Sequence, residues 1–81
     1  MRQYLLDTES ETFKFIIRFK KENDGISPTL REIVDNTIVK STSHANEIVR
    51  NLESMGLVKI RPWKSRGIVV VGGSWRLDYH D

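Results

Sequence analysis

The side chains with the clearest chemical potential in this 81-residue chain are polar ones in its second half. The residue spacing predicts a helix whose outward face carries Ser43, His44, Asn46 and Glu47. Short or forked polar groups of this kind can reach the edges of DNA bases, and an asparagine amide matches adenine with two hydrogen bonds. The pattern therefore indicates recognition of duplex DNA rather than catalysis.

Positive charge is concentrated in the same part of the chain. Residues 40–71 hold six basic and two acidic residues, a net charge of +4, whereas residues 1–39 hold six basic and seven acidic ones. A cluster of basic side chains is what a polyanion would contact, although a solvated basic face is the alternative. Phosphate contact tolerates loose geometry. We assign it to Lys40, Arg50, Lys64 and Arg66.

Several of these side chains have a second interpretation. His44 can contact a guanine or a phosphate, or lie in solvent near the start of its helix. Glu47 can accept a hydrogen bond from cytosine, or pair with Arg50 or Asn51 at helical spacing. Asn46 can bind adenine or be an ordinary surface residue. The sequence leaves these alternatives open.

The composition argues against other classes of protein. The chain has no cysteine and only two histidines, His44 and His80, so we expect no disulfide, metal site or cofactor. Its carboxylates are scattered without an evident cleft, so we expect no enzyme. No apolar run approaches the ~20 residues that span a bilayer, and acidic Asp7 comes too early for a signal peptide. We expect a cytoplasmic protein, associated with bacterial, archaeal or phage DNA.

The first predicted helix runs from about Glu9 to Lys21. Thr8 and Glu11 have the spacing of a capping box, in which each side chain accepts a hydrogen bond from a free backbone N–H. Gly25 suits the left-handed conformation that ends a helix. The apolar face is predicted to contain Phe13, Ile16, Ile17 and the methylene stem of Lys20.

Two further helices are predicted after this stop. Thr29 and Glu32 form a second capping box behind Pro28, and Ser41 or Ser43 caps the third helix. That third helix ends at Gly56. Helical spacing predicts that its buried residues are Ala45, Ile48, Val49, Leu52 and Met55. The opposite face, which includes Arg50 and Asn51, is predicted to point away from the core.

Strand-like segments at residues 57–60 and 66–71 flank a polar loop and predict a hairpin, or wing. Gly72-Gly73 and the alternating Trp75, Leu77 and Tyr79 predict one more strand. The expected fold is α+β, a winged helix-turn-helix with three helices and a two- or three-stranded antiparallel β-sheet. We expect one domain over residues 1–81, with its core at 8–71 and an extension at 72–81.

Three aromatic residues raise separate questions. Trp63, beside Pro62 at the wing tip, either folds back onto the hairpin, which we favour, or stays available to a ligand such as deoxyribose. Phe15 and Phe19 lie off the predicted apolar face and would form an exposed patch. Either the C-terminal strand covers this patch or a second copy of the chain does.

Residues 10–71 resemble the N-terminal DNA-binding domain of LexA-type repressors, about three quarters of the chain. The Pro-Thr helix start and the Ser-Arg-Gly-Ile wing, at this separation, are together fairly specific. The residues that carry the resemblance are Gly25, Pro28-Thr29, Glu32-Ile33, Ser41, Ala45, Gly56 and Ser65-Arg66-Gly67-Ile68.

The resemblance implies a repressor that binds operator DNA as a dimer through its third helix. The full predicted DNA-binding set is Thr29, Lys40, Ser41, Ser43, His44, Asn46, Glu47, Arg50, Lys64 and Arg66. Because Ser43, His44 and Asn46 depart from the family pattern, the family's operator sequence is not carried over. The chain lacks the length for the family's self-cleaving peptidase domain, so we expect no self-cleavage. The alternative function is a winged helix that binds proteins and not DNA.

Overall fold

The computed structural model describes residues 5–72, which form three helices followed by a two-stranded antiparallel hairpin. In chain order, the elements are α1 (Asp7–Glu22), α2 (Leu30–Asn36), α3 (Thr42–Ser54), β1 (Val58–Ile60) and β2 (Ile68–Val70). Lys59 of β1 lies opposite Val69 of β2. The predicted winged helix-turn-helix is confirmed. The predicted third strand lies outside the described residues.

One apolar core lies between the helices and the hairpin. The third helix contributes four side chains at the predicted positions, and each is at most 2% exposed. They are Ala45, Ile48, Val49 and Leu52. Met55 is half-buried and packs against them. Since a helix that buries one stripe turns its opposite stripe to solvent, this packing determines which face of α3 a ligand can reach.

The start of α1 differs from the prediction. The helix begins two residues early, and the predicted Thr8–Glu11 cap is wrong. Instead, the N–H of Leu6 donates to Oε1 of Glu9 at 3.0 Å, and Nδ2 of Asn51 donates to Oε2 of Glu9 at 3.3 Å. Glu9 is 1% exposed. A buried carboxylate requires hydrogen-bond donors of this kind, so Glu9 joins α1 to α3.

The end of α1 agrees with the prediction. Gly25 has a φ of +83° and donates its N–H to the carbonyl of Lys20 at 2.7 Å. Nζ of Lys20 donates back to the carbonyl of Gly25 at 3.2 Å, with the rest of the side chain buried. The lysine therefore packs its stem on the core and satisfies a backbone group where the helix ends.

Phe15 and Phe19, predicted to lie off the apolar face of α1, do not form an exposed patch in the described structure. The C-terminal strand, one of the two predicted covers, lies outside the described residues. Phe15 is 6% exposed and belongs to the core, and Phe19 is half-buried against it. The two ring centroids are 5.8 Å apart. The guanidinium of Arg18 lies 5.5 Å from the centroid of the Phe15 ring, a cation–π distance. The apolar face of α1 is therefore wider than the predicted stripe.

Both predicted caps in the helix-turn-helix are present. Oγ1 of Thr29 accepts from the N–H of Glu32 at 3.1 Å, and Oε1 of Glu32 accepts from the N–H of Thr29 at 2.9 Å. Oγ of Ser41 accepts from the N–H of His44 at 3.1 Å. These bonds satisfy backbone donors that no helical carbonyl can reach, and so they determine where α2 and α3 begin.

Gly56 leads the chain from α3 into the wing. It has a φ of +80°, donates to the carbonyl of Glu53 at 2.9 Å, and is followed by a bond from Leu57 N–H to the carbonyl of Leu52 at 3.0 Å. This pair of bonds is a Schellman motif. At the other end of the loop, a Cβ on Gly67 would lie 2.5 Å from the carbonyl oxygen of Arg61. The backbones of Arg61 and Gly67, which we call the neck of the wing, therefore leave no room for a side chain at residue 67.

We predict that Glu9→Ala destabilises the fold by about 1–3 kcal/mol, because it empties a buried site and removes the acceptor of two part-buried donors, the N–H of Leu6 and the amide of Asn51. Thr8→Ala, the matched control, should change stability by less than about 0.5 kcal/mol, since Thr8 does not cap the helix. Urea unfolding followed by circular dichroism measures both. If Thr8→Ala lowered the free energy of unfolding while Glu9→Ala left it unchanged, the Thr8–Glu11 cap predicted from sequence would be correct after all.

Candidate nucleic-acid interface

A groove of about 480 Å³ lies between α3 and the wing. One wall is a stripe of α3 residues at helical spacing, and the other is the wing loop with the ends of its strands. The start of α2 closes one end. The α3 wall consists of Thr42, Asn46, Val49 and Arg50. Because the core packing orients α3, this stripe faces the wing across an open channel.

The groove is lined by four cations and by no carboxylate, namely Arg31, Arg50, Arg61 and Lys64. All four side chains are exposed. Nε of Arg31 lies 3.9 Å from Asp35, but both groups are well exposed, so this pair is weak. Cations gathered along one channel without an opposing acid create a field that attracts a polyanion.

The structure brings only some of the predicted site residues into the groove, namely Thr29, Asn46, Arg50 and Lys64. A second group lies at or beside the start of α3, exposed to solvent and outside the groove lining. Its members are Lys40, Ser41, Ser43, His44 and Glu47. The two groups flank the same helix, so a ligand seated along α3 could meet both.

The N-terminus of α3 adds a second positive feature. Its first turn contains no acidic residue. Of its free N–H groups, that of His44 is bound by Oγ of Ser41. The remaining backbone donors and the helix dipole favour an anion at this end of the helix. The exposed Lys40 lies one residue before the cap.

Arg66 differs from the other predicted phosphate-contacting residues because carboxylate and carbonyl oxygens of the protein already hold its guanidinium. Nη1 and Nη2 donate to the two carboxylate oxygens of Glu32 at 2.8 and 3.0 Å. Nη1 also donates to the carbonyl of Ser27 at 3.0 Å. This two-pronged geometry is the strong form of an arginine–carboxylate pair. The structure therefore gives Arg66 a structural role between the wing and α2.

The contacts around Arg66 form a clamp, which we define as Ser27, Glu32 and Arg66. Oγ of Ser27 accepts a hydrogen bond from the N–H of Ile68 in β2 at 3.1 Å. The Arg66 guanidinium, followed by the N–H of Thr29, holds the pKa of Glu32 below its ordinary value. The same carboxylate raises the pKa of Arg66. The wing is thus attached to the start of α2 by charge as well as by packing.

Asn51 is not on the free face of α3, contrary to prediction. Its amide donates to the buried carboxylate of Glu9 on α1. The two asparagines of α3 therefore have different environments, because Asn46 lines the groove while Asn51 joins two helices.

Trp63 does not fold back onto the hairpin, so the favoured prediction is wrong. Its side chain is 91% exposed. It lies at the tip of the wing, between Arg61 and Lys64, which both line the groove. A large apolar side chain in this position is unusual for a surface that meets only water.

Four groove residues with polar or charged side chains were missing from the site predicted from sequence: Arg31, Thr42, Arg61 and Ser65. Thr42 was accessible to sequence analysis, because it precedes Asn46 by one helical turn and must share its face. Arg61 belongs to the basic cluster, but its charge alone did not assign it to the site. Arg31 offers no local signal, since only the packing of α2 against α3 brings it to the groove.

Within residues 5–72, no group of three or more histidine, aspartate or glutamate side chains is placed to hold a metal ion. No helix in the described part of the chain is long and apolar enough to cross a membrane.

Three helices, a capped helix-turn-helix and a wing bordering a cationic groove define a winged helix-turn-helix DNA-binding domain. The family model for the LexA DNA binding domain matches residues 3–67. The chain belongs to this family.

The relatives of the chain include LexA repressors from several bacteria. The chain is 34% identical over 79 residues to the LexA repressor of Anaeromyxobacter sp. strain Fw109-5, a match that covers 89% of this chain and 34% of the relative. It is 34% identical over 65 residues to that of Clostridium perfringens strain SM101, covering 80% and 32%. For Caldicellulosiruptor saccharolyticus the identity is 35% over 71 residues, covering 88% and 35%. The chain spans about one third of the length of these relatives.

We predict that Glu32→Gln lowers thermal stability near neutral pH, because the amide keeps an acceptor for Thr29 but loses the charge that holds Arg66. The folded-state pKa of Glu32 is depressed, so its contribution is complete above the ordinary carboxyl value of 4.5 and disappears as the pH falls through the lower folded value. Melting curves from about pH 7 to about pH 2 should therefore converge for parent and variant. Asp35→Asn, in an exposed pair, is the control. A pH-independent difference would contradict the clamp.

Proposed function

We propose that this chain is a transcriptional repressor domain that binds duplex DNA in a sequence-specific manner. The observation that carries the proposal is the groove between α3 and the wing, which is lined by four cations and no carboxylate. A winged helix places its second helix of the helix-turn-helix in the major groove and its wing along the backbone. Membership of the LexA DNA-binding domain family supports the same conclusion.

In this proposal, affinity and specificity come from different side chains. Arg50 and Lys64 on opposite walls of the groove, with Lys40 beside the start of α3, contact phosphates and release counterions. Asn46, which lines the groove, contacts a base edge. Ser43, His44 and Glu47 are exposed along the same end of α3 and complete the candidate base-contacting set.

Arg66 enters this proposal as a positioning residue. Its guanidinium is engaged by Glu32 and Ser27, so it holds the wing in place for Lys64 and Arg61 to reach the backbone. For direct contact with a phosphate, Arg66 would have to break its two hydrogen bonds to Glu32 or use the N–H groups that are not engaged in them.

We further propose that the chain binds its site as a homodimer, with the core domain at residues 8–71 and an extension at 72–81. The relatives are named repressors, and a two-fold assembly on DNA would bind two related half-sites. Duplex binding would place the protein in the cytoplasm with the chromosome or phage DNA.

The rival function, a winged helix that binds only proteins, was motivated by a surface made of Phe15, Phe19, Trp75 and Tyr79. The α1 half of that surface is absent, because Phe15 is in the core and Phe19 is half-buried. Trp75 and Tyr79 lie outside the described residues. The groove cations remain without a role in that alternative.

We predict that Arg50→Gln with Lys64→Gln flattens the slope of log affinity against log salt, by about 0.9 for each phosphate that the protein no longer neutralises. The measurement is fluorescence anisotropy of a labelled random duplex over a salt series. Lys14→Gln with Lys59→Gln removes the same charge outside the groove and should change the slope much less. Equal changes from both pairs would mean that net charge, and not the groove, drives binding.

We predict that Asn46→Ala costs about 1–3 kcal/mol on the preferred site and much less on random DNA, as expected for a bidentate base contact. Selection of bound sequences from a random duplex pool first identifies that site, and paired half-sites in it would indicate a dimer. Asn51→Ala is the control, and it should lower stability without altering site preference. Equal reductions in affinity on both DNAs would reduce Asn46 to a positioning role.

A further inference from the structure

We propose that Trp63 makes a direct, non-electrostatic contact with duplex DNA, in which its indole packs against the deoxyribose rings of the backbone that the groove cations hold. This inference rests on the proposed DNA binding and adds to it an apolar component located at the wing tip. Its starting point is the 91% exposure of the Trp63 side chain.

The backbone at the wing tip presents the indole outward. The N–H of Lys64 donates to the carbonyl of Arg61 at 3.2 Å, which closes a four-residue turn. Pro62 takes the second position of this turn, where its fixed φ is favourable, and Trp63 takes the third. A side chain at the apex of such a turn points away from the hairpin, in agreement with its exposure.

The neck of the wing keeps this turn in place. The N–H of Arg61 donates to the carbonyl of Gly67 at 2.9 Å, and the two backbones are so close that a Cβ on Gly67 would lie 2.5 Å from the Arg61 carbonyl oxygen. Below the neck, the clamp attaches Arg66 to Glu32. The indole is therefore carried on an ordered support, and binding through it needs little further ordering of backbone.

The charge around the indole identifies the kind of surface that covers it. Residues 54–72 contain four basic residues and no acidic one, although Glu32 pairs with Arg66 and the carboxylate of Glu53 accepts the N–H of Ile60 at 3.0 Å. The cations nearest to the indole in sequence are therefore Arg61 and Lys64. Arg61 and Lys64, on either side of the turn, line the groove. A nucleic acid backbone alternates anionic phosphates with apolar sugar faces, which matches a cation, an indole and a second cation in sequence. A purely apolar protein partner would have to bury those cations without counter-charges, at a high cost.

The chemistry of this contact separates it from the phosphate contacts. Burial of an indole releases no counterions, so Trp63→Ala should weaken binding to any duplex by about tenfold, a typical effect for an aromatic interface residue, and leave the salt slope unchanged. Lys64→Gln, the neighbouring control, should instead flatten the slope by about 0.9. Because Trp63 is exposed in the free protein, Trp63→Ala should melt at the temperature of the parent.

Tryptophan emission gives a direct readout of the contact. The chain has two tryptophans, so Trp75→Phe leaves Trp63 as the single reporter. Titration with a random duplex should change the Trp63 emission and protect it from acrylamide quenching, in parallel with anisotropy of a labelled duplex. Trp63→Phe, which leaves Trp75 as reporter, controls for changes elsewhere in the protein.

The outcomes distinguish this inference from the function on which it rests. If Trp63→Ala in the otherwise unaltered chain binds duplex as tightly as the parent, the inference is wrong and the proposed function stands. If the parent binds no duplex at low salt, both fail. If Trp63 emission shifts with protein concentration in the absence of DNA, a second copy of the chain covers the indole, and the inference is likewise overturned. Weaker binding by Trp63→Ala, together with protection of the indole from acrylamide on DNA, supports it.

Discussion

The carboxylate of Glu32 is the group on which the geometry of the candidate interface depends. It accepts the backbone N–H of Thr29 and both arms of Arg66, and so it joins the start of α2 to the wing. The wing needs this attachment because two strands of three residues are marginal on their own in water. Core packing of Ile68 and Val70 holds the root of the wing. The charged pair adds a second attachment, from the wing loop to the start of α2.

The elements that sequence predicted well are those determined by short-range chemistry. Capping at Thr29 and Ser41 acts over three residues, and the buried face of α3 follows from its apolar period. The start of α1 was mispredicted because Thr8–Glu11 and Thr29–Glu32 have the same spacing. The start of α1 instead depends on Glu9, whose carboxylate accepts a hydrogen bond from Asn51, 42 residues further along the chain. No local sequence pattern encodes a contact over that distance.

The candidate site was predictable in composition but not in detail. The density of positive charge located the wing and α3, yet Lys64 and Arg66 are equivalent in a charge count. Only the fold shows that Lys64 lines the groove while Arg66 is bound by a carboxylate. Phe15 was misplaced for a similar reason. Its helix packs on more of the core than a single stripe would require, so a position off the predicted face is still buried.

The two capping glutamates reveal a common device in this small domain. Glu9 and Glu32 both occupy the third position of a helix, and each binds the backbone N–H of the residue before that helix. Each also takes one side chain from a distant element, Asn51 in one case and Arg66 in the other. Both side chains resemble DNA-contacting residues by type. Glu9 and Glu32 thereby give Asn51 and Arg66 a structural role. Asn46 and Arg50, which are of the same residue types, line the groove and can meet a ligand.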